Sequence, residues 1–139
     1  MDLNIFTKEL TPDEGLELKP YQCTANKVTI GIGRNLTDVG ISEEEAQYLL
    51  GNDIREIVSG LNRNFPWWKD MPETAQRGLA NMAFNMGMPR LMLFKNMIKC
   101  LEEGDFSSAA AEALDSVWAS QVGDRSKRVA KLFLDAQNG

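Results

Sequence analysis

Between Glu14 and Gly33 the chain reads EGLELKPYQCTANKVTIGIG. A carboxylate stands directly before a glycine, Cys23 follows nine positions on, and Thr29 six after that. The alternation from Val28 to Gly33 predicts a strand whose glycines mark close approach of another backbone or a ligand. Small residues beside an isolated Glu make the floor of a cleft. The plain alternative is an ordinary hairpin that carries a surface glutamate.

What surrounds this segment narrows the choice. A chain of 139 residues suits one domain, which at this size buries about two-thirds of its unfolded surface without a disulfide or metal staple. Apolar (43%) and charged (25%) fractions are those of a globular protein. A net charge of −5 argues against general nucleic-acid binding. The chain has no histidine, which removes Ser-His and Cys-His catalysis and every imidazole metal site. Cys23 and Cys100 belong to no C-x-x-C pair and are expected as free thiols. The first ten residues lack the apolar core of a signal peptide, and the longest uncharged run, Gly78–Pro89, is too short to span a bilayer. The expectation is a soluble, monomeric product of the cytoplasm that inserts in no membrane.

Outward from that segment the chain becomes helical. Leu3, Ile5, Phe6 and Leu10 fit a short amphipathic helix before it. Thr11-Pro12-Asp13-Glu14 has the chemistry of a helix start, whereas Gly15 has that of a left-handed stop. After the strand-rich residues 16–34, Asn35–Gly40 is turn chemistry. Ser42 with Glu45 forms a capping box, and Ala46, Leu49, Leu50, Ile54, Ile57, Val58 and Leu61 recur at helical spacing. A helix over about residues 43–61 results. Residues 62–72 break the pattern and gather Phe65, Trp67 and Trp68, at least one Trp being core. Helices are expected over 73–86 and 90–103. Asp105 is expected to cap a helix carrying Phe106, Ala109, Ala110, Ala113, Leu114 and Val117, and Asp124 to cap the last one, with Val129, Leu132 and Phe133 inward.

Chemistry is bounded by what is missing. General acid–base work falls to carboxylates, Lys, Tyr or Cys. Ser-x-x-Lys is absent, Gly31-Ile32-Gly33 is no dinucleotide fingerprint, and no acidic cluster has metal-loop spacing. No cofactor and no metal is implied. A carboxylate with a hydroxyl and a thiol nearby suits acetal cleavage, in which a protonated carboxyl gives its proton to the leaving oxygen.

These residues carry a resemblance. Glu14-Gly15-x-x-Leu18-x-x-Tyr21, then Cys23, then Thr29-Ile30-Gly31-Ile32-Gly33 resembles the active-site motif of phage lysozymes of the T-even type, glycoside hydrolase family 24. Ile41-Ser42-x-Glu44-Glu45-Ala46 is similar to the start of that family's interlobe helix, and Asn81–Gly87 to its central buried helix. Trp118-x-x-Gln121-x-x-x-Arg125-x-x-Arg128 is similar to its cleft-closing segment. The resemblance implies a single α+β, lysozyme-like domain over residues 1–139. Its small β-containing lobe, about 14–41, is joined by the long helix to a helical lobe of about 65–139 plus the N-terminal helix. It implies a muramidase cutting the β-1,4 bond between N-acetylmuramic acid and N-acetylglucosamine in peptidoglycan glycan strands, released through holin lesions if phage-encoded. Glu14 would be the general acid. Thr29 would help hold the attacking water, Arg125 would pair with the catalytic glutamate, and Gln121 and Asn85 would be polar cleft residues. The family ends its first helix at this glutamate, which selects the Gly15 stop and puts Pro12 in that helix's early turns.

Two departures stand out. Cys23 replaces the family's usual Asp, and Arg34 stands where a histidine is common. A thiol with a pKa of about 8.5 is mostly neutral at pH 7, and a nearby Glu14 would raise it, so a cation such as Arg125 or Arg34 is needed to lower it. Three roles are open to Cys23: thiolate base, nucleophile with retention, or water-orienting group. With one carboxylate and no good base, the muramic acid's own hydroxyl could attack instead, which is lytic transglycosylase chemistry; a silent wall-binding relative is the third alternative. The short connection from Gly33 to Ser42 implies a reduced β lobe and a more open cleft. Arg125, Lys127, Arg128 and Lys131 form either a local basic patch or a solvated helix face.

Overall fold

Asp2 starts the first helix by accepting from the backbone N–H groups of Asn4 and Ile5, at 2.9 and 3.1 Å. In the computed structural model, which describes residues 1–139, this helix, α1 (Leu3–Glu14), ends where Gly15 takes φ 77° and donates its N–H to the Thr11 carbonyl. A positive φ is open to glycine at little cost, so Gly15 fixes Glu14 as the last helical residue. Pro12 sits in the last turn of α1, not in its early turns as expected. It deprives only the Lys8 carbonyl of a helical donor, and on an exposed helix water replaces it. None of the residues of α1 is buried.

Residues Met1–Leu49 and Leu50–Gly139 form two compact units. In the first, β1 (Glu17–Gln22), β2 (Val28–Gly31) and β3 (Arg34–Asn35) make an antiparallel sheet in the order β1-β2-β3. Tyr21 pairs with Thr29 and Gln22 with Val28, but Glu17 pairs with Gly31, so β1 is bulged in between. Pro20 lies in the bulge, where its missing N–H breaks no ladder bond. The strand expected over Val28–Gly33 stops at Gly31. Gly31 and Gly33 take φ 70° and 75° and turn the chain into β3, where Ile30 pairs with Arg34 and Thr29 with Asn35. Asn35–Gly40 then turns as expected, with the Asn35 Oδ1 accepting from the Asp38 N–H at 3.1 Å.

The capping box forms as read. Ser42 Oγ accepts from the Glu45 N–H at 3.1 Å and Glu45 Oε1 accepts from the Ser42 N–H at 2.9 Å. It opens α2 (Glu43–Asn64), whose 22 residues span about 33 Å at 1.5 Å per residue.

The second unit holds the apolar core. Leu61 from the last turns of α2 packs with Phe65 and Trp68 around a 3-10 turn (Pro66–Asp70), and Trp68 Nε1 donates to Asn62 Oδ1 at 2.7 Å. Next come α3 (Glu73–Met86), α4 (Met88–Leu91), α5 (Lys95–Glu102), α6 (Phe106–Leu114), α7 (Val117–Val122) and α8 (Asp124–Asn138). Three expected elements are corrected here. The helix read over 90–103 is two, because the chain makes a tight turn through Leu93 and Phe94, whose N–H groups bond to Arg90 and Leu91. The helix from Asp105 ends at Leu114; Ser116 caps α7 by accepting from Ala119, which leaves Val117 exposed. The last helix is capped by Gly123 at φ 61°, with Asp124 in its first turn. The Asp105 cap and the burial of Val129 and Phe133 are as expected, and Leu132 is half-buried. These features make an α+β, lysozyme-like fold.

Helix α3 meets α8 so closely that a Cβ placed on buried Gly78 would lie 2.7 Å from the Phe133 ring. Removing a mid-helix glycine ordinarily stabilises by about 0.5–1 kcal/mol. Here Phe133 is fully buried and has nowhere to move, and overpacking of that kind costs about 1–3 kcal/mol. Gly78→Ala is therefore expected to destabilise by about 1 kcal/mol or more in urea unfolding, the opposite sign from helix propensity; a raised midpoint would show that the α3–α8 contact is looser than described.

Candidate active site

Glu14, Cys23 and Thr29 belong to the first unit and Asn85, Gln121 and Arg125 to the second. Glu14 projects, exposed, from the end of α1. Its side chain lies against the backbone of Gly33: a Cβ there would fall 2.5 Å from Glu14 Oε2 and 3.1 Å from its Cδ. A Cβ there would displace the carboxyl from this place, and at φ 75° only glycine adopts the backbone readily.

Cys23 opens the turn between β1 and β2. Its N–H donates to the Lys27 carbonyl and its carbonyl accepts from Asn26, both at 2.9 Å, with Asn26 at φ 60°. Closing the turn this way brings the backbone N–H groups of Ala25 and Lys27 onto the thiol. These two donors hold the Cys23 pKa below its ordinary value against the opposing effect of burial, and the Thr29 hydroxyl adds a smaller push in the same direction. Of the two cations named for this role, Arg34 commits its guanidinium to Glu45 and Gly40, and backbone N–H groups favour the thiolate in its place. Thr29 is the one buried residue of the first unit; its hydroxyl donates to the Lys27 carbonyl at 3.2 Å. Cys23 and Thr29 are thus brought together, and both cysteines are free.

Arg34 donates from both terminal nitrogens to the two oxygens of Glu45 at 2.8 and 2.7 Å, and also to the Gly40 carbonyl at 3.1 Å. The fork, with the Ser42 N–H second, pulls the Glu45 pKa down to about 2. Glu45 thus serves Arg34 as well as the capping box read from the sequence.

In the second unit, α3 presents Asn81 and Asn85 one turn apart. Asn81 Oδ1 accepts from Arg125 Nε, and Asn85 Oδ1 accepts from Trp118 Nε1, both at 2.8 Å. Gln121 Oε1 accepts from Arg90 at 3.3 Å, so Gln121 and Arg125 have separate partners. Asn81 and Arg90 are the polar residues that sequence reasoning passed over as site residues; the pairing of Asn81 with Arg125 is 44 positions long and leaves no local trace. Beside Asn81 and Arg125 lies a cavity of about 480 Å³ with mainly apolar walls, including Leu50, Ile54 and Phe84. The polar side chains lining it are Arg77, Asn81 and Arg125. No group of His, Cys, Asp or Glu is arranged to hold a metal.

Residues 12–133 match the family model described as phage lysozyme, a span that includes all six of these side chains. The chain belongs to the phage lysozyme family. It is 34% identical to an endolysin of Acyrthosiphon pisum secondary endosymbiont phage 1, over 71% of this chain and 68% of that one. It is 27% identical to a probable T4-type lysozyme of Dictyostelium discoideum, over 87% and 88%. It is also 29% identical to the pre-baseplate central spike protein of Enterobacteria phage T4, where the match takes in 90% of this chain but only 27% of the spike protein.

The two thiols have opposite environments. Backbone donors lower Cys23, while burial, then Asp105 and Glu112, raise Cys100. A lowered pKa means the thiolate is present from a lower pH upward. Iodoacetamide labelling followed by mass spectrometry across pH 6–10 is expected to modify Cys23 first, with its midpoint below that of Cys100. Cys100 labelling ahead of Cys23 would show that the turn does not stabilise the anion.

Proposed function

We propose that this chain is a peptidoglycan-degrading muramidase of the endolysin type. In this reading Glu14 is the general acid and hydrolyses the β-1,4 bond between N-acetylmuramic acid and N-acetylglucosamine. The observation that supports it best is the pairing, on one small unit, of an exposed helix-end carboxyl confined by Gly33 with a thiol in an anion-favouring turn beside Thr29. Family membership and the names of the endolysin and lysozyme relatives support the same substrate class.

The proton inventory follows from this assignment. The protonated Glu14 gives its proton to the glycosidic oxygen, the bond to the muramic C1 breaks, and the C1 centre gains oxocarbenium character. A water attacks C1 and its proton passes to the Cys23 thiolate, with the Thr29 hydroxyl as a hydrogen-bond partner. Glu14 leaves as carboxylate and Cys23 as thiol; one proton returns through solvent. Asn85, Gln121 and Arg125 bind sugar hydroxyl and amide groups. No cofactor takes part. No helix is long and apolar enough to cross a membrane; in this reading the chain reaches the periplasmic wall after release from the cytoplasm, through holin lesions where it is phage-encoded.

Mass spectrometry of peptidoglycan digests tests the proposal. The wild type is expected to give reducing ends, and Glu14→Gln to lose about 10²-fold or more in rate with unfolding unchanged, since an exposed acid contributes little to the fold. Cys23→Asp is expected to keep activity and Cys23→Ala to lose most of it. Near-normal lysis by Glu14→Gln would refute the assignment, and 1,6-anhydro ends would establish a lytic transglycosylase instead. Binding to permeabilised cells without turbidity loss would leave only a wall-binding relative.

A further inference from the structure

The Glu14 carboxyl has no hydrogen bond within its unit to aim it; what its side chain rests against there is the backbone of Gly33. Where that backbone lies is set in turn by its neighbour. Arg34 follows Gly33 directly, pairs across the ladder with Ile30, and is held at its far end by Glu45 through two charge-assisted bonds of 2.8 and 2.7 Å. A third bond, from the same guanidinium to the Gly40 carbonyl at 3.1 Å, ties down the connection to α2. Glu45 cannot swing away, because its Oε1 also closes the capping box on Ser42 at 2.9 Å. The chain of contacts is continuous: helix start, Glu45, Arg34, Gly33, Glu14.

We propose that Arg34 is a positioning residue for Glu14, its forked ion pair with Glu45 fixing the Gly31–Gly33 turn that confines the carboxyl. The inference rests on the reading of Glu14 as the proton donor. Both side chains of the pair remain more than a third exposed (37% and 42%), and exposed ion pairs contribute little to global stability. Its effect therefore shows in geometry. A reacting group displaced by about 1 Å loses on the order of 10²-fold in rate, so partial loosening of the turn lowers turnover while the fold persists. Lysine cannot replace arginine here, since an ammonium is a point donor without the planar fork.

The test is kinetics on soluble glycan oligomers with thermal unfolding run in parallel. Arg34→Gln is expected to lower kcat about tenfold with KM within about twofold, while the unfolding midpoint stays close to wild type, as the loss is in orientation of the reacting group. Arg34→Lys is expected to fall between, and serves as the reporter should Arg34→Gln fold poorly. Glu45→Gln, which keeps the capping box, is expected to lower kcat as well, and the double variant to be no worse than the poorer single one, because both cut the same link. Unchanged kcat in Arg34→Gln, an Arg34→Lys indistinguishable from wild type, additive losses, or a loss accounted for by the unfolded fraction would each overturn the proposal. Glu14→Gln run alongside separates the two ideas. An inactive Glu14→Gln with a fully active Arg34→Gln removes only the positioning role, whereas an active Glu14→Gln removes the proton donor itself.

Discussion

Glu45 meets two demands with one carboxylate. Its Oε1 accepts from the Ser42 N–H to begin α2 and, with Oε2, from the fork of Arg34 to hold the end of the sheet. The first unit depends on such polar links because it has almost nothing else: of its residues only Thr29 is buried, and a two-residue third strand adds little ladder. A sheet this small is marginal on its own strand pairing. Fixed glycine turns, the Cys23–Lys27 turn and the Arg34–Glu45 fork supply the order that apolar burial does not. The functional consequence is direct, since every candidate reacting group of this unit sits on one of those polar devices.

The second unit solves the opposite problem. Leu79, Met82, Ala83 and Met86 bury one side of α3, and Gly78 lets Phe133 of α8 close against the helix backbone. A helix gripped on that side holds its other positions rigidly. Asn81 and Asn85 stand one turn apart, and each has its carbonyl oxygen committed to a longer side chain, Arg125 and Trp118. What these asparagines do is aim their partners. An arginine bonded through Nε keeps its terminal nitrogens free for a ligand, which is the geometry a polar recognition residue requires.

How much of this was legible beforehand divides along sequence distance. The capping box at Ser42 and Glu45, the Asp105 cap and the core face of α3 depend on residues within four positions of one another and could be read directly. At Gly15 local chemistry offered both a start and a stop, and only the family resemblance chose the stop. The reading of Pro12 went astray because a proline's cost depends on whether water can serve the orphaned carbonyl, a matter of exposure. The break of the 90–103 helix at Leu93–Phe94 and the start of α7 at Ser116 rest on local turn and cap hydrogen bonds that apolar periodicity does not encode. Arg34 with Glu45 joins consecutive elements across 11 positions, and Arg125 with Asn81 joins two helices across 44, both beyond the reach of local periodicity. Charge alone nominated Arg34 for the thiol, and only its actual partner removed it from that role.

The turn at Cys23 favours an anion on the side chain of its first residue. Two backbone N–H groups, from Ala25 and Lys27, converge on the Cys23 side chain, in a turn closed by the Cys23–Lys27 and Asn26–Cys23 backbone bonds. Charge preference is therefore a property of the turn more than of the residue. A thiolate is larger and more weakly hydrated than a carboxylate, but its negative form is favoured by the same dipoles. An aspartate is ionised at neutral pH with or without such donors, whereas an ordinary thiol is mostly neutral there. The anion at Cys23 therefore depends on backbone geometry, and the rigidity of a five-residue turn sets how much anion the position can carry.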